Sequence, residues 1–143
     1  MAWIIGVLIF FTPAQSVLTN PEYQSAKFLA VFGEIEPLPR VAADPWVFPA
    51  GVAIIGILYG HVYALIRRSL GEGRWTRGAR FGIVAWALMA PWFEFYLPWN
   101  VMHEPATLVL LELALWAAVL LLVGMTIAVA YERMDRVLGV GGS

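Results

Sequence analysis

Apolar residues gather into four runs, separated by polar, proline-bearing or arginine-bearing connections. The runs cover about 2–18, 45–68, 77–97 and 105–131, and the last is the cleanest. Roughly 17 to 25 mostly apolar residues are needed for a helix to cross a bilayer. The pattern therefore predicts an all-α integral membrane protein, a four-helix transmembrane bundle forming a single domain. The first run is the shortest and is broken by Pro13. It has no basic stretch ahead of it, so it is expected to be a retained span and not a cleaved signal segment.

The connections carry their own signals. In the first external loop, 19–44, Asn20-Pro21-Glu22 reads as a helix start and Gly33 as a stop. Ala26, Phe28, Leu29 and Phe32 give the piece between them an apolar face, which predicts a short interfacial helix. Glu36-Pro37-Leu38-Pro39-Arg40 is expected to be an extended strap, because each proline turns its predecessor away from helix. Asp44-Pro45 opens the second span, and Pro91 predicts a kink in the third. The charged segment starting at Glu132 is expected to end the fourth span and begin a tail over 132–143.

Charge gives the bundle a direction. The 67–80 loop holds Arg67, Arg68, Arg74, Arg77 and Arg80, and Arg133 and Arg136 follow the last span, whereas the opposite side has Lys27 and Arg40. The positive-inside rule puts the arginine loop and both termini in the cytoplasm. Trp3, Trp75 and Tyr131 toward one side, and Trp46, Trp92, Tyr96 and Trp99 toward the other, fit two aromatic belts. Eight of the nine basic residues are arginine, a coding bias that suggests a GC-rich genome and a bacterial cytoplasmic (inner) membrane.

Composition narrows the chemistry. The chain is 61% hydrophobic and 13% charged, with a net charge of −1. A nucleic-acid partner needs a basic surface that is not available here. The absence of cysteine removes disulfides, thiolate metal sites and thiol redox catalysis. No nucleotide loop, serine–histidine pair or paired zinc ligands appear, and Gly71-Glu72-Gly73 reads as a flexible connector, so no enzyme activity and no cofactor are expected.

Two kinds of residue then stand out. Gly56, Gly60 and Ala64 form a small-residue ridge on the second span, and Gly124 and Ala128 form another on the fourth, both suited to close helix packing. Three ionisable groups lie within spans: His61, Glu94 and Glu112. Glu112 is roughly 9 Å along the axis from the outer end of its helix at 1.5 Å per residue, and Glu94 lies near the same end of the third span. The two carboxyls could face each other and share a proton; alternatively Glu94 reaches out to the interface and Glu112 bonds a nearby Trp, Tyr or backbone group. Asn100, His103 and Glu104 form an external polar cluster, but one histidine with scattered acids is a poor metal-ligand pattern, and none is assigned. His61 is expected to be a hydrogen-bonded structural histidine, since a bis-histidine haem needs a second one.

Two functions are compatible with these residues. One is a non-catalytic accessory subunit that docks other membrane proteins, lipid or pigment, or self-associates. The other is a small oligomeric proton- or cation-coupled transporter or channel using the intramembrane carboxylates.

Overall fold

The computed structural model describes residues 14–139. Among them the chain is helical throughout its regular structure: α1 (Gln15–Leu18), α2 (Ala26–Gly33), α3 (Arg40–Ala43), α4 (Val47–Ile66), α5 (Arg74–Glu94) and α6 (Ala106–Val137). A 3-10 turn, Arg67–Leu70, prolongs α4, and a π-helical turn, Phe95–Val101, prolongs α5. Three helices are long and apolar enough to cross a membrane: Val47–Leu70, Arg74–Val101 and Ala106–Val137. At 24, 28 and 32 residues each outreaches a hydrocarbon core of roughly 30 Å. Most of the first predicted span, 2–13, lies outside the described residues.

Several predicted boundaries move. The helices continue past the charged residues expected to stop them: α5 begins at Arg74 inside the predicted 67–80 loop, and α6 runs through Glu132 to Val137. The reason is pairing across the helix ends. Arg67 Nη1 meets Asp135 Oδ2 at 2.5 Å, Arg74 Nη1 meets Glu132 Oε2 at 3.1 Å, and Arg136 Nη2 meets Glu132 Oε1 at 2.8 Å one turn away. Charged side chains thus end the apolar stripe without ending the helix. Asn20 does not cap α2; its Oδ1 accepts from Glu22 N at 2.9 Å in a local turn. Ser25 is the cap, with Oγ accepting from Phe28 N at 3.0 Å. Gly33 is the last residue of α2 as expected, but the strap gives way to the short helix α3 at Arg40. Pro91 is contained in α5, and the change of helix type follows it at Phe95.

α5 and α6 form the central pair. They cross where Gly78 and Gly82 face Gly124. A Cβ on Gly78 would lie 2.7 Å from Met125 Cα, and one on Gly82 would lie 2.5 Å from Leu120 O. Nothing larger than hydrogen fits there, so the helix backbones are in direct contact. Toward the carboxyl-bearing end of this pair, Trp86 Nε1 donates to Leu113 O at 2.9 Å.

Among the described residues α4 attaches mainly toward the arginine-bearing end, through a buried cluster of Tyr63, Leu70, Phe81 and Ala128, with Tyr59 Oη reaching Met89 Sδ at 3.4 Å further along α5. Tyr63 stands edge-on to Phe81 at 5.3 Å, and Tyr131 Oη donates to Gly60 O at 2.9 Å. Beyond that α4 is bare: Ile54 and Leu58 are exposed, Ala64 is exposed, and no atom lies within 4 Å of a Cβ placed on Gly56. Of the small-residue positions read from sequence, Gly60, Gly124 and Ala128 lie at contacts within the chain, whereas Gly56 and Ala64 face away from it.

Candidate functional site

The largest fully buried side chains among the described residues are one tyrosine, Tyr63, and two glutamates, Glu94 and Glu104. Glu94 lies on the last turn of α5 before the π segment, and Glu112 on the second turn of α6. Glu104 comes from the four residues between them. There Met102 N donates to Leu97 O, Glu104 N donates to Pro98 O, and His103 adopts φ 57, a left-handed turn that reverses the chain. The turn swings Glu104 inward and leaves His103 exposed. One carboxylate oxygen from each of Glu94, Glu104 and Glu112 lies within 4.8 Å of the others, and all three residues are buried.

Two neutral donors meet this triad. Trp116, one turn beyond Glu112, donates from Nε1 to Glu94 Oε1 at 2.8 Å. Gln24, from the segment before α2, donates from Nε2 to Glu104 Oε1 at 2.6 Å and to Leu18 O at 2.9 Å. Ser25 Oγ fastens the same segment by donating to Met102 O at 2.7 Å. Below it Ala14 and Leu18 pack on Leu108, with Leu111 and Leu115 alongside. The other oxygens of Glu94 and Glu104, both Oε2, are buried without a hydrogen-bond partner among the described residues. Among the described residues the ion pairs all lie at the opposite end of the molecule. Burial pushes the Glu104 carboxyl above the usual carboxylate range; the Gln24 amide opposes this, and the Glu94 charge adds to it.

The triad is an all-oxygen constellation. Its chemistry suits a proton shared between carboxyls, or a hard cation that takes oxygen ligands. The predicted external cluster divides. Asn100 and His103 are exposed, and Glu104 belongs with the buried acids. Glu94 and Glu112 come together as one of the two sequence readings has it, and Glu94 is buried, not extended to the surface. His61 takes no part; it is exposed, and its Nδ1 lies 2.9 Å from Ile57 O of its own helix. Gln24 and Trp116 are absent from the sequence reading. Trp116 was within reach of it, since residues four apart share a helix face. Gln24 carries no such signal, because its position depends on how a loop folds back. No family model, curated protein or solved structure matches this chain.

Proposed function

We propose that this is a small membrane protein whose Glu94–Glu104–Glu112 triad binds a proton or cation and couples it to transport. The observation that carries the reading is the burial of three carboxyls together, with two of their oxygens left without partners among the described residues. Two full negative charges no more than 4.8 Å apart repel by at least about 3 kcal/mol at an effective dielectric of 20. Fully ionised, the triad needs a positive guest, and a group that must hold a proton or cation in a membrane is suited to exchanging it.

The proposed setting is a bacterial inner membrane with both termini cytoplasmic and the triad in the outer half, from the arginine distribution. The 2–18 segment makes the fourth crossing in this reading. Its support is the apolar run itself, together with the packing of its last residues, Ala14 and Leu18, on Leu108 of α6. No catalytic step is assigned.

The test is flux in proteoliposomes with an entrapped pH dye, under imposed sodium, potassium, magnesium or zinc gradients. Wild type should move protons against at least one of these cations. Glu112→Gln and Glu94→Gln should lower the rate tenfold or more while keeping the protein folded. Wild-type vesicles no leakier than empty ones under every gradient would end the transport reading.

A second reading, an accessory subunit, draws on the bare face of α4, where only 6% of the most apolar window is buried against 39% for α6. Extraction in a mild detergent separates the two: a stoichiometric membrane partner retained by both wild type and Glu112→Gln supports docking.

A further inference from the structure

At the other end of the molecule, α4, α5 and α6 enclose a cavity of about 350 Å³. Its charged lining is Arg67, Arg74, Arg77 and Arg136 against Glu132 and Asp135, an excess of two positive charges. The acids are already committed. Asp135 takes Arg67, and Glu132 is shared between Arg74 and Arg136. No acid is left for Arg77. Its Nε is buried and has no hydrogen-bond partner among the described residues. A buried guanidinium N–H without an acceptor is costly, and such groups are nearly always satisfied by protein, by water or by a bound ion. Gly73, the residue before α5, also lines the cavity, and no side chain caps the helix there. The first-turn amides therefore add positive potential on the same side. Tyr63, Ala128 and Tyr131 supply a less polar wall.

We infer that this cavity binds a phosphate group, with Arg77, the guanidinium left without an acid, as the central charge and Arg74 and Arg136 flanking it. Planar guanidinium groups match phosphate oxygens in pairs. The cavity opens where three apolar helices give way to charged residues, which is the level of lipid head groups in a bilayer. Basic pockets between membrane helices are known to take anionic lipid heads. A soluble phosphate offers the same chemistry without the acyl chains.

Native mass spectrometry of the full chain in detergent distinguishes these sources, using phosphatidylglycerol, phosphatidylcholine and inorganic phosphate as probes. Wild type should retain phosphatidylglycerol in preference to phosphatidylcholine. Arg77→Gln and Arg136→Gln should each weaken retention about fivefold, the effect of roughly one interfacial charge. Arg133→Gln removes the same charge from the same end without lining the cavity, and it should leave retention unchanged. Thermal melts in inorganic phosphate form the second arm: stabilisation of wild type but not of Arg77→Gln, without a lipid adduct, assigns the pocket to soluble phosphate. Arg136 is largely solvent-exposed, so its variant tests the idea even if Arg77→Gln fails to fold. The proposal is overturned if wild type shows neither a lipid preference nor phosphate stabilisation, or if Arg133→Gln weakens binding as much as the two cavity variants.

Discussion

The two ends of the helix pair treat charge in opposite ways. At the arginine-bearing end, Arg67–Asp135 and the Arg74–Glu132–Arg136 group are paired and partly open to solvent. At the other end, three glutamates are buried together, and the donors that reach them are the neutral Trp116 and Gln24. Paired surface charges contribute little to stability, so those ion pairs are an arrangement almost any helix terminus can adopt, and Arg77 is the exception at that end. Buried acids without a base lower stability unless a proton or cation accompanies them. The contrast teaches where to look for function: the costly end needs a reason that folding alone does not supply.

Substitutions can break or sharpen this contrast. The largest effect should come from Gly82→Val, which acts on the crossing that holds both ends. With Leu120 O 2.5 Å from the position of a Cβ, the helices must separate, at a cost of about 3 kcal/mol. Chemical unfolding in detergent micelles should show it, and unchanged stability would mean that the ends are assembled independently. Gln24→Ala should come next. It strips Glu104 and the Leu18 carbonyl of their shared donor, leaving buried acceptors unsatisfied at about 1–3 kcal/mol.

A third effect is a pH dependence arising at the carboxyl end. Glu104 holds its proton more tightly folded than unfolded, because burial raises it. Its contribution to stability is therefore fully present below the ordinary carboxylate range and is lost as pH rises through the raised value. Melting temperature should fall with rising pH over that interval in wild type and fall less in Glu104→Gln. A steeper fall in Glu104→Gln would reverse the sign of the argument. The smallest effect should be Asp135→Asn at the arginine end, below about 1 kcal/mol, because its pair is partly solvated. If Asp135→Asn proves more destabilising than Gln24→Ala, the contrast between the ends is wrong.

Much of this was legible along the chain, and the exceptions share a cause. The three long helices follow from long, mostly apolar runs, because a backbone in lipid must satisfy its own hydrogen bonds. Their ends were harder to read, since charged residues stop a hydrophobic stripe and not a helix. For the same reason the small-xxx-small pair of Gly78 and Gly82, with Arg77 before it and Arg80 within it, straddles the predicted boundary between the 67–80 loop and the third span and did not stand out as a packing ridge. Glu94 and Glu112 were visible as charges in apolar surroundings. Glu104 was visible only as part of an external polar cluster, because a glutamate between two spans is expected at the surface until His103 turns it inward.

The sequence by itself determined that the chain is helical and apolar enough for a membrane, with its arginines gathered toward one end. Those properties depend on residue type and local spacing, which the chain carries wherever it is placed. Only the tertiary structure decided that three acids from two helices and the turn joining them share one buried site, that a loop glutamine closes over it, and that Arg77 is left without an acid. Each of these depends on which groups meet across elements, and hydrogen bonding and burial are properties of that meeting, not of the residues taken one at a time.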